Sequence, residues 1–149
     1  MKKLSMFLLL ALVCVFVAGS LSNAKSKSKK MAVLMPAADV KWEDMKGGPP
    51  GIQYSNLWGD IMKSGYGTFV KLPAGSDHPM HTHSSDTKCV IISGMFWVAP
   101  EGGEKKMLGP GSYFMVPAGW KHTSGTEGET MLFQESAGKF DLLPVEMKK

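Results

Sequence analysis

From residue 31 onward, short runs of apolar, aromatic and β-branched residues alternate with clusters of Gly, Pro, Ser and Asp. No stretch carries the 3.6-residue periodicity of a long helix. The pattern predicts an all-β domain with strands over 40–44, 51–57, 66–72, 80–83, 88–99, 104–108, 113–116, 120–124 and 130–135. Pro100-Glu101-Gly102-Gly103 has the composition of a hairpin turn. Without repeats or a visible second domain, many short strands of this kind fit a jelly-roll barrel. Alternate positions of such a barrel face a lumen. Met95, Trp97, Phe114, Val116 and Phe133 are expected there as core. His81, His83 and His122 are costly there unless something partners them.

The first thirty residues follow another pattern. Lys2 and Lys3, an apolar run over 6–18 and the small-residue site Ser22-Asn23-Ala24 are the three parts of a secretory signal peptide, with cleavage expected after Ala24. The mature protein is therefore expected to be secreted or periplasmic, with membrane contact only through the leader. The apolar run is short for a membrane span, and Val13 is a poor residue to precede a lipid-modified Cys14. Lys25, Lys27, Lys29 and Lys30, interleaved with serine, read as a basic flexible arm. The expected organisation is a leader over 1–24, an arm over 25–30 and one domain over 31–149.

Charge and cysteines narrow the function classes. All seventeen basic residues are lysines, and residues 31–149 keep eleven of them against all thirteen acids. The pI near 9.0 thus belongs to leader and arm rather than to the domain. A chain without arginine, and with no basic excess in its folded part, does not suit nucleic acid. Removing the leader removes Cys14, so Cys89 remains alone and no internal disulfide is possible. A domain of about 119 residues can still fold on its hydrophobic core.

The chemistry concentrates in two segments. In Gly75-Ser-Asp-His-Pro-Met-His81-Thr-His83 the last two histidines are two apart, so on a strand both imidazoles project from one face. In Gly111-Ser-Tyr-Phe-Met-Val-Pro117-Ala-Gly119-Trp-Lys-His122 a short apolar strand enters a sharp Pro-x-Gly turn and then meets a histidine. If the chain after that turn returns across the sheet, His122 joins the pair. Three nitrogen ligands then leave a coordination position open, the arrangement of a catalytic rather than a structural metal site.

These segments resemble the two signature motifs of the cupin superfamily over about residues 65–135. Gly75, His81, His83 and Gly94 match the first motif, with Thr87 where its glutamate belongs; Gly111, Pro117, Gly119 and His122 match the second, with Thr126 where its asparagine belongs. The resemblance implies a cupin-type double-stranded β-helix, one divalent metal on His81, His83 and His122, and a small-molecule substrate or ligand. It also implies a homodimer formed through edge strands, a role open to the segment 31–44.

Thr87 alters the expected chemistry. Three neutral imidazoles leave a divalent ion at plus two, so water or an anionic substrate donor is expected where the glutamate would bind. Asp86 points the opposite way from Thr87 on an extended strand unless a bulge turns it in. Cys89 shares the parity of Thr87, either as a small buried residue or as a soft ligand or redox-active thiol. His78 is expected on the loop ahead of the pair, as a rim acid/base or substitute ligand. Gln134 and Tyr113 are further candidates to line the site. The donor set suits Fe, Zn, Mn, Cu or Ni without choosing among them. The reaction expected first is an iron(II) dioxygenation, then zinc-dependent lyase or hydrolase chemistry. The alternative is a non-catalytic metal- or small-ligand-binding sensor of the cell envelope.

Overall fold

The computed structural model describes residues 31–146, so the expected leader and basic arm lie outside the described residues. Of the N-terminal unit, Met1–Leu34, residues 31–34 are exposed and irregular; the second unit runs from Met35 to Lys149. Within it a short 3-10 turn, Ala37–Asp39, precedes eleven strands: β1 (Glu43–Asp44), β2 (Gln53–Gly59), β3 (Tyr66–Leu72), β4 (Asp77–Thr82), β5 (Thr87–Ser93), β6 (Phe96–Pro100), β7 (Lys106–Leu108), β8 (Tyr113–Val116), β9 (His122–Thr126), β10 (Thr130–Ser136) and β11 (Leu143–Pro144). They form two sheets, β1-β2-β3-β10-β5-β8 and β11-β4-β9-β6-β7, with every pairing antiparallel. This is the jelly-roll architecture that the strand pattern predicts.

Period-two alternation decides which residues enter the space between the sheets. On β5, Thr87, Cys89 and Ile91 are buried while Lys88, Val90 and Ile92 face out; on β10, Thr130, Leu132, Gln134 and Ser136 are buried. Ile52, Val70, Leu72, Ile91, Phe96, Val98 and Leu132 form the heart of the core, with Tyr54, Ile61 and Tyr66. Each large apolar side chain buried there contributes about 1.5–3 kcal/mol. Phe114 and Val116 lie inside as expected, and Phe114 stacks on Phe96 with centroids 5.4 Å apart. Trp97 is buried away from that cluster, against Gly125 and beneath Lys105. Met95 is half-buried.

Phe133 corrects the expected core. It alternates with Gln134 on β10, and because Gln134 takes the inner face, Phe133 turns outward and meets Phe69 edge-on at 6.3 Å. The run 88–99 is likewise two strands rather than one. Gly94 breaks it with φ of 80°, where an added Cβ would lie 2.2 Å from the Glu129 carbonyl oxygen. The chain crosses there from the six-stranded to the five-stranded sheet. The predicted turn at 100–103 does join a hairpin, β6 to β7, with the Gly103 N–H donating to the Pro100 carbonyl at 3.0 Å. Among the described residues no helix is long and apolar enough to cross a membrane.

Candidate metal centre

Three elements bring the histidines together. His81 stands directly across from His122 in the β4–β9 pair, and His83 follows one residue past the end of β4. The Pro117-Ala118-Gly119 turn that launches β9 is tied to the first motif twice. Gly119, at φ of 75°, donates its N–H to the His83 carbonyl at 2.9 Å, and the Ala118 N–H donates to the Asp86 carboxylate at 2.9 Å. The second motif is thereby fastened onto the residues of the first. One potential ligand nitrogen from each of the three buried imidazoles lies within 4.8 Å of the others.

Hydrogen bonds fix which nitrogen that is. Nδ1 of His81 faces the Pro79 carbonyl at 2.7 Å, Nδ1 of His83 the Asp141 carbonyl at 2.5 Å, and Nδ1 of His122 the Trp120 carbonyl at 3.0 Å. A carbonyl can only accept, so all three Nδ1 atoms carry the proton and all three Nε2 lone pairs are left for the interior. Burial lowers the basicity of all three imidazoles, and their mutual repulsion as cations adds to it; His81 is brought down to about 4. The rings are therefore neutral near pH 7. Three converging lone pairs without a donor among them call for a cation, and the backbone carbonyls supply the outer support that metal-bound imidazoles ordinarily have. The donor set fits a metal ion on its own chemistry.

The other expected site residues divide. Thr87 is buried in the cavity wall, its hydroxyl donating to the Ser85 carbonyl at 3.3 Å. Gln134 also lines the wall, and its amide bonds the Tyr66 hydroxyl at 2.5 Å. Cys89 lies on the same wall but outside the group whose ligand atoms converge, and burial drives its thiol pKa up, so in the metal-free protein it is a protonated, apolar side chain. Asp86 is exposed and occupied by the Ala118 N–H, so it does not replace the missing glutamate.

Two expectations need correction. Tyr113 does not line the site: Phe114 and Val116 take the inward positions of β8, leaving Tyr113 60% exposed on the outer face. His78 is not on a loop. It lies on β4, 7% exposed, and lines the cavity. Between His78↔Ser124 and His81↔His122 the chain advances three residues on β4 and two on β9. That bulge turns both histidines to one face despite their odd separation.

The structure adds residues that spacing does not reveal. Asp141 supplies the carbonyl for His83, and its carboxylate accepts from both the N–H (2.9 Å) and the hydroxyl of Ser84. Phe140 packs on the His83 ring at 5.6 Å. Ser124 stands beside His78; strand parity from His122 could have found it, but nothing in the sequence marks 140–141. All four histidines of the chain thus line one cavity of about 470 Å³, whose remaining wall is largely apolar: Ile52, Val70, Leu72, Phe96, Val98 and Leu132.

The family described as "Domain of unknown function (DUF4437)" matches residues 20–143. The chain belongs to it. An RmlC-like cupin from Shewanella frigidimarina superposes with a TM-score of 0.56 and 20% identity, over 74% of this chain and 92% of that one. The protein has the cupin fold. Similar structures of named activity differ in chemistry. The polyketide cyclase RemF from Streptomyces resistomycificus has a TM-score of 0.63 and 20% identity, covering 80% of this chain and 89% of its own. The DMSP lyase DddQ from Ruegeria pomeroyi has a TM-score of 0.55 and 25% identity, covering 72% and 61%. No curated protein matches this chain significantly in sequence. Fold and family are therefore shown, and the reaction has to be argued from the site.

Proposed function

We propose that this cupin is an exported, metal-dependent enzyme acting on a small anionic or oxygenated molecule, and that its reaction is an iron(II)-dependent dioxygenation. The observation that carries the reading is a donor set of three neutral imidazoles, with no carboxylate, at the wall of a largely apolar cavity that opens to the surface. Bound there, iron(II) would supply open positions for an anionic substrate and oxygen, and zinc(II) would supply Lewis-acid chemistry. His81, His83 and His122 hold the ion, and the carbonyls of Pro79, Asp141 and Trp120 hold the three rings. Lys46 is the one cationic side chain among the lining residues, so an anionic group deep in the cavity would find its countercharge at a metal ion held by the neutral histidines. The walls around Val98, Val116 and Leu132 exclude water from the bound substrate. Cleavage after Ala24 and a homodimer through the 31–44 edge belong to the same reading.

A second reading is a non-catalytic binding module. It is favoured by the lack of a free carboxylate in the inner wall: Asp77 is exposed and Asp141 is engaged by Ser84. Elemental analysis of protein purified without chelators comes first, with about one metal equivalent expected for a single site of this kind. Oxygen uptake by the iron-loaded protein with a panel of small acids, thiols and diketones then decides. Uptake with any of them supports the enzyme. Turnover of the zinc form without oxygen would replace dioxygenation by lyase or hydrolase chemistry. Metal retention with no turnover would leave the binding module.

A further inference from the structure

The bulge in β4 places a second polar pair on the wall that holds the metal ligands. His78 and Ser124 face each other across the β4–β9 ladder, and His81 and His122 form the next inward pair of the same ladder. His78 Nδ1 and Ser124 Oγ are 3.2 Å apart, and both side chains are buried in the cavity wall. His78 is not one of the three residues whose ligand atoms converge. Its Nε2 has no protein partner, yet no buried polar side-chain atom among the described residues lacks one, so that nitrogen meets open space. The pair can present either polarity. A serine hydroxyl donating to Nδ1 leaves an N–H donor at Nε2, whereas an Nδ1–H donating to serine leaves Nε2 as an acceptor.

Position adds a length. Two residues of strand rise about 6.6 Å, and the His78 and His81 ring centroids are 6.3 Å apart. The cavity wall around the pair is apolar: Val98 stands across from Ser124 on the neighbouring strand, and Val70, Leu72 and Leu132 line the sheet opposite. Nδ1 and Oγ satisfy each other, which leaves the Nε2 of His78 available to a ligand, and a bulge costs ladder hydrogen bonds at the point where it re-aims a side chain.

We infer that His78 and Ser124 form a second recognition point, so that the ligand is a small bifunctional molecule: one end carries an oxygen donor for the three-histidine site, the other a hydrogen-bonding group about 6 Å further along an apolar spacer. This rests on the metal reading of His81, His83 and His122. His78 acts here as a specificity residue that touches the far end of the ligand, without a role in holding the metal.

The test uses the zinc-loaded protein and three probes: benzoate, 3-hydroxybenzoate and 4-hydroxybenzoate. Binding is read by calorimetry, and His78 by its nitrogen chemical shifts. One hydroxybenzoate should bind the native protein about fivefold or more tightly than benzoate, as one added hydrogen bond of about 1 kcal/mol requires. That ligand alone should move the His78 nitrogens. His78→Ala and Ser124→Ala should keep their zinc and reduce the advantage to about one, within the error of such a bond energy. Equal affinities of the three probes for the native protein would overturn the inference, as would an advantage that survives in zinc-loaded His78→Ala. Loss of zinc from His78→Ala would make His78 part of the metal site and overturn it as well. A native protein that takes up no zinc at all would defeat the metal reading first; that outcome is separable because it appears before any probe is added.

Discussion

The two inner sheet faces share a cavity and do opposite things within it. The face of β4 and β9 contributes His78, His81, His122 and Ser124, whereas the face of β3, β10 and β5 contributes Val70, Leu72, Leu132 and Cys89, with Gln134 and Thr87 as polar exceptions. The polar face has a bulge between its two histidine pairs; the apolar face is regular across β3 and β10 and shifts register only toward β5, at Met131/Leu132. Chemistry on this fold is thus carried by the β4–β9 ladder, and the ladders opposite supply an apolar wall. Substitutions on the two faces should separate metal binding from stability.

The sharpest break is His81→Ala with His83→Ala. Two of three donors are lost, so metal content should fall from about one equivalent to background, while circular dichroism should still report a folded β protein. Unchanged metal content would remove the site. The mirror experiment is Leu132→Ala on the opposite face, where the side chain is 2% exposed. It should cost about 2–5 kcal/mol in denaturant unfolding and leave the metal stoichiometry as it was. If instead it strips the metal, the two faces are not independent.

The sequence makes the polar face largely legible because its residues are rare and their spacing is rigid. Gly75, Gly94, Gly111 and Gly119, the glycines of both motifs, all have positive φ, so each marks a bend that other residues rarely make. What stayed hidden has identifiable causes. A bulge leaves no signature in the letters, so the three-residue offset from His78 to His81 reads as opposite faces when the strand is taken as regular. Tyr113-Phe114-Met115-Val116 is apolar at both parities, so hydrophobicity does not tell which pair points inward. The run from Ile91 to Ala99 is apolar on both sides of Gly94, which hid the strand break. Asp141 reaches His83 from 58 residues away, and β11 has only two residues. Contacts made by chain return carry no local pattern.

A pH titration separates the faces without mutation. His81 is at about 4 when folded against 6.5 otherwise, with burial as the main cause, and His78, His83 and His122 are displaced in the same direction. Between those values the unfolded chain binds protons that the folded chain refuses. Stability of the metal-free protein is therefore full above about pH 6.5 and falls as the pH drops toward 4. Thermal midpoints of chelator-treated protein should decline over that window. The decline should be smaller in His81→Ala, which has one fewer proton to exclude. Midpoints that stay flat from pH 7 to 4 would mean that the histidines are not held neutral. On the apolar face, Cys89 should resist thiol reagents across the same window and react only on unfolding, because burial keeps it a thiol.

The smallest expected effect tests the seam that closes the polar face. His83 is held by the Asp141 carbonyl, so Asp141→Ala leaves that acceptor in place and removes only the carboxylate that anchors the segment to Ser84. Burial works against this carboxylate's ionisation, yet its hydrogen bonds to Ser84 prevail and hold its pKa below the usual range. It is therefore ionised near neutral pH, and losing it frees the segment rather than removing a ligand. Metal affinity should weaken about tenfold, the lower end of what an outer support contributes, with stoichiometry and fold unchanged. Ser84→Ala should reproduce part of that loss, because its backbone N–H still reaches the carboxylate. Asp141→Asn should fall between native and alanine. Should all three variants bind metal with native affinity, the Asp141 carbonyl, Phe140 packing and the Gly119 contact would suffice to orient His83, and the anchor between the Asp141 carboxylate and Ser84 would be dispensable for the donor set.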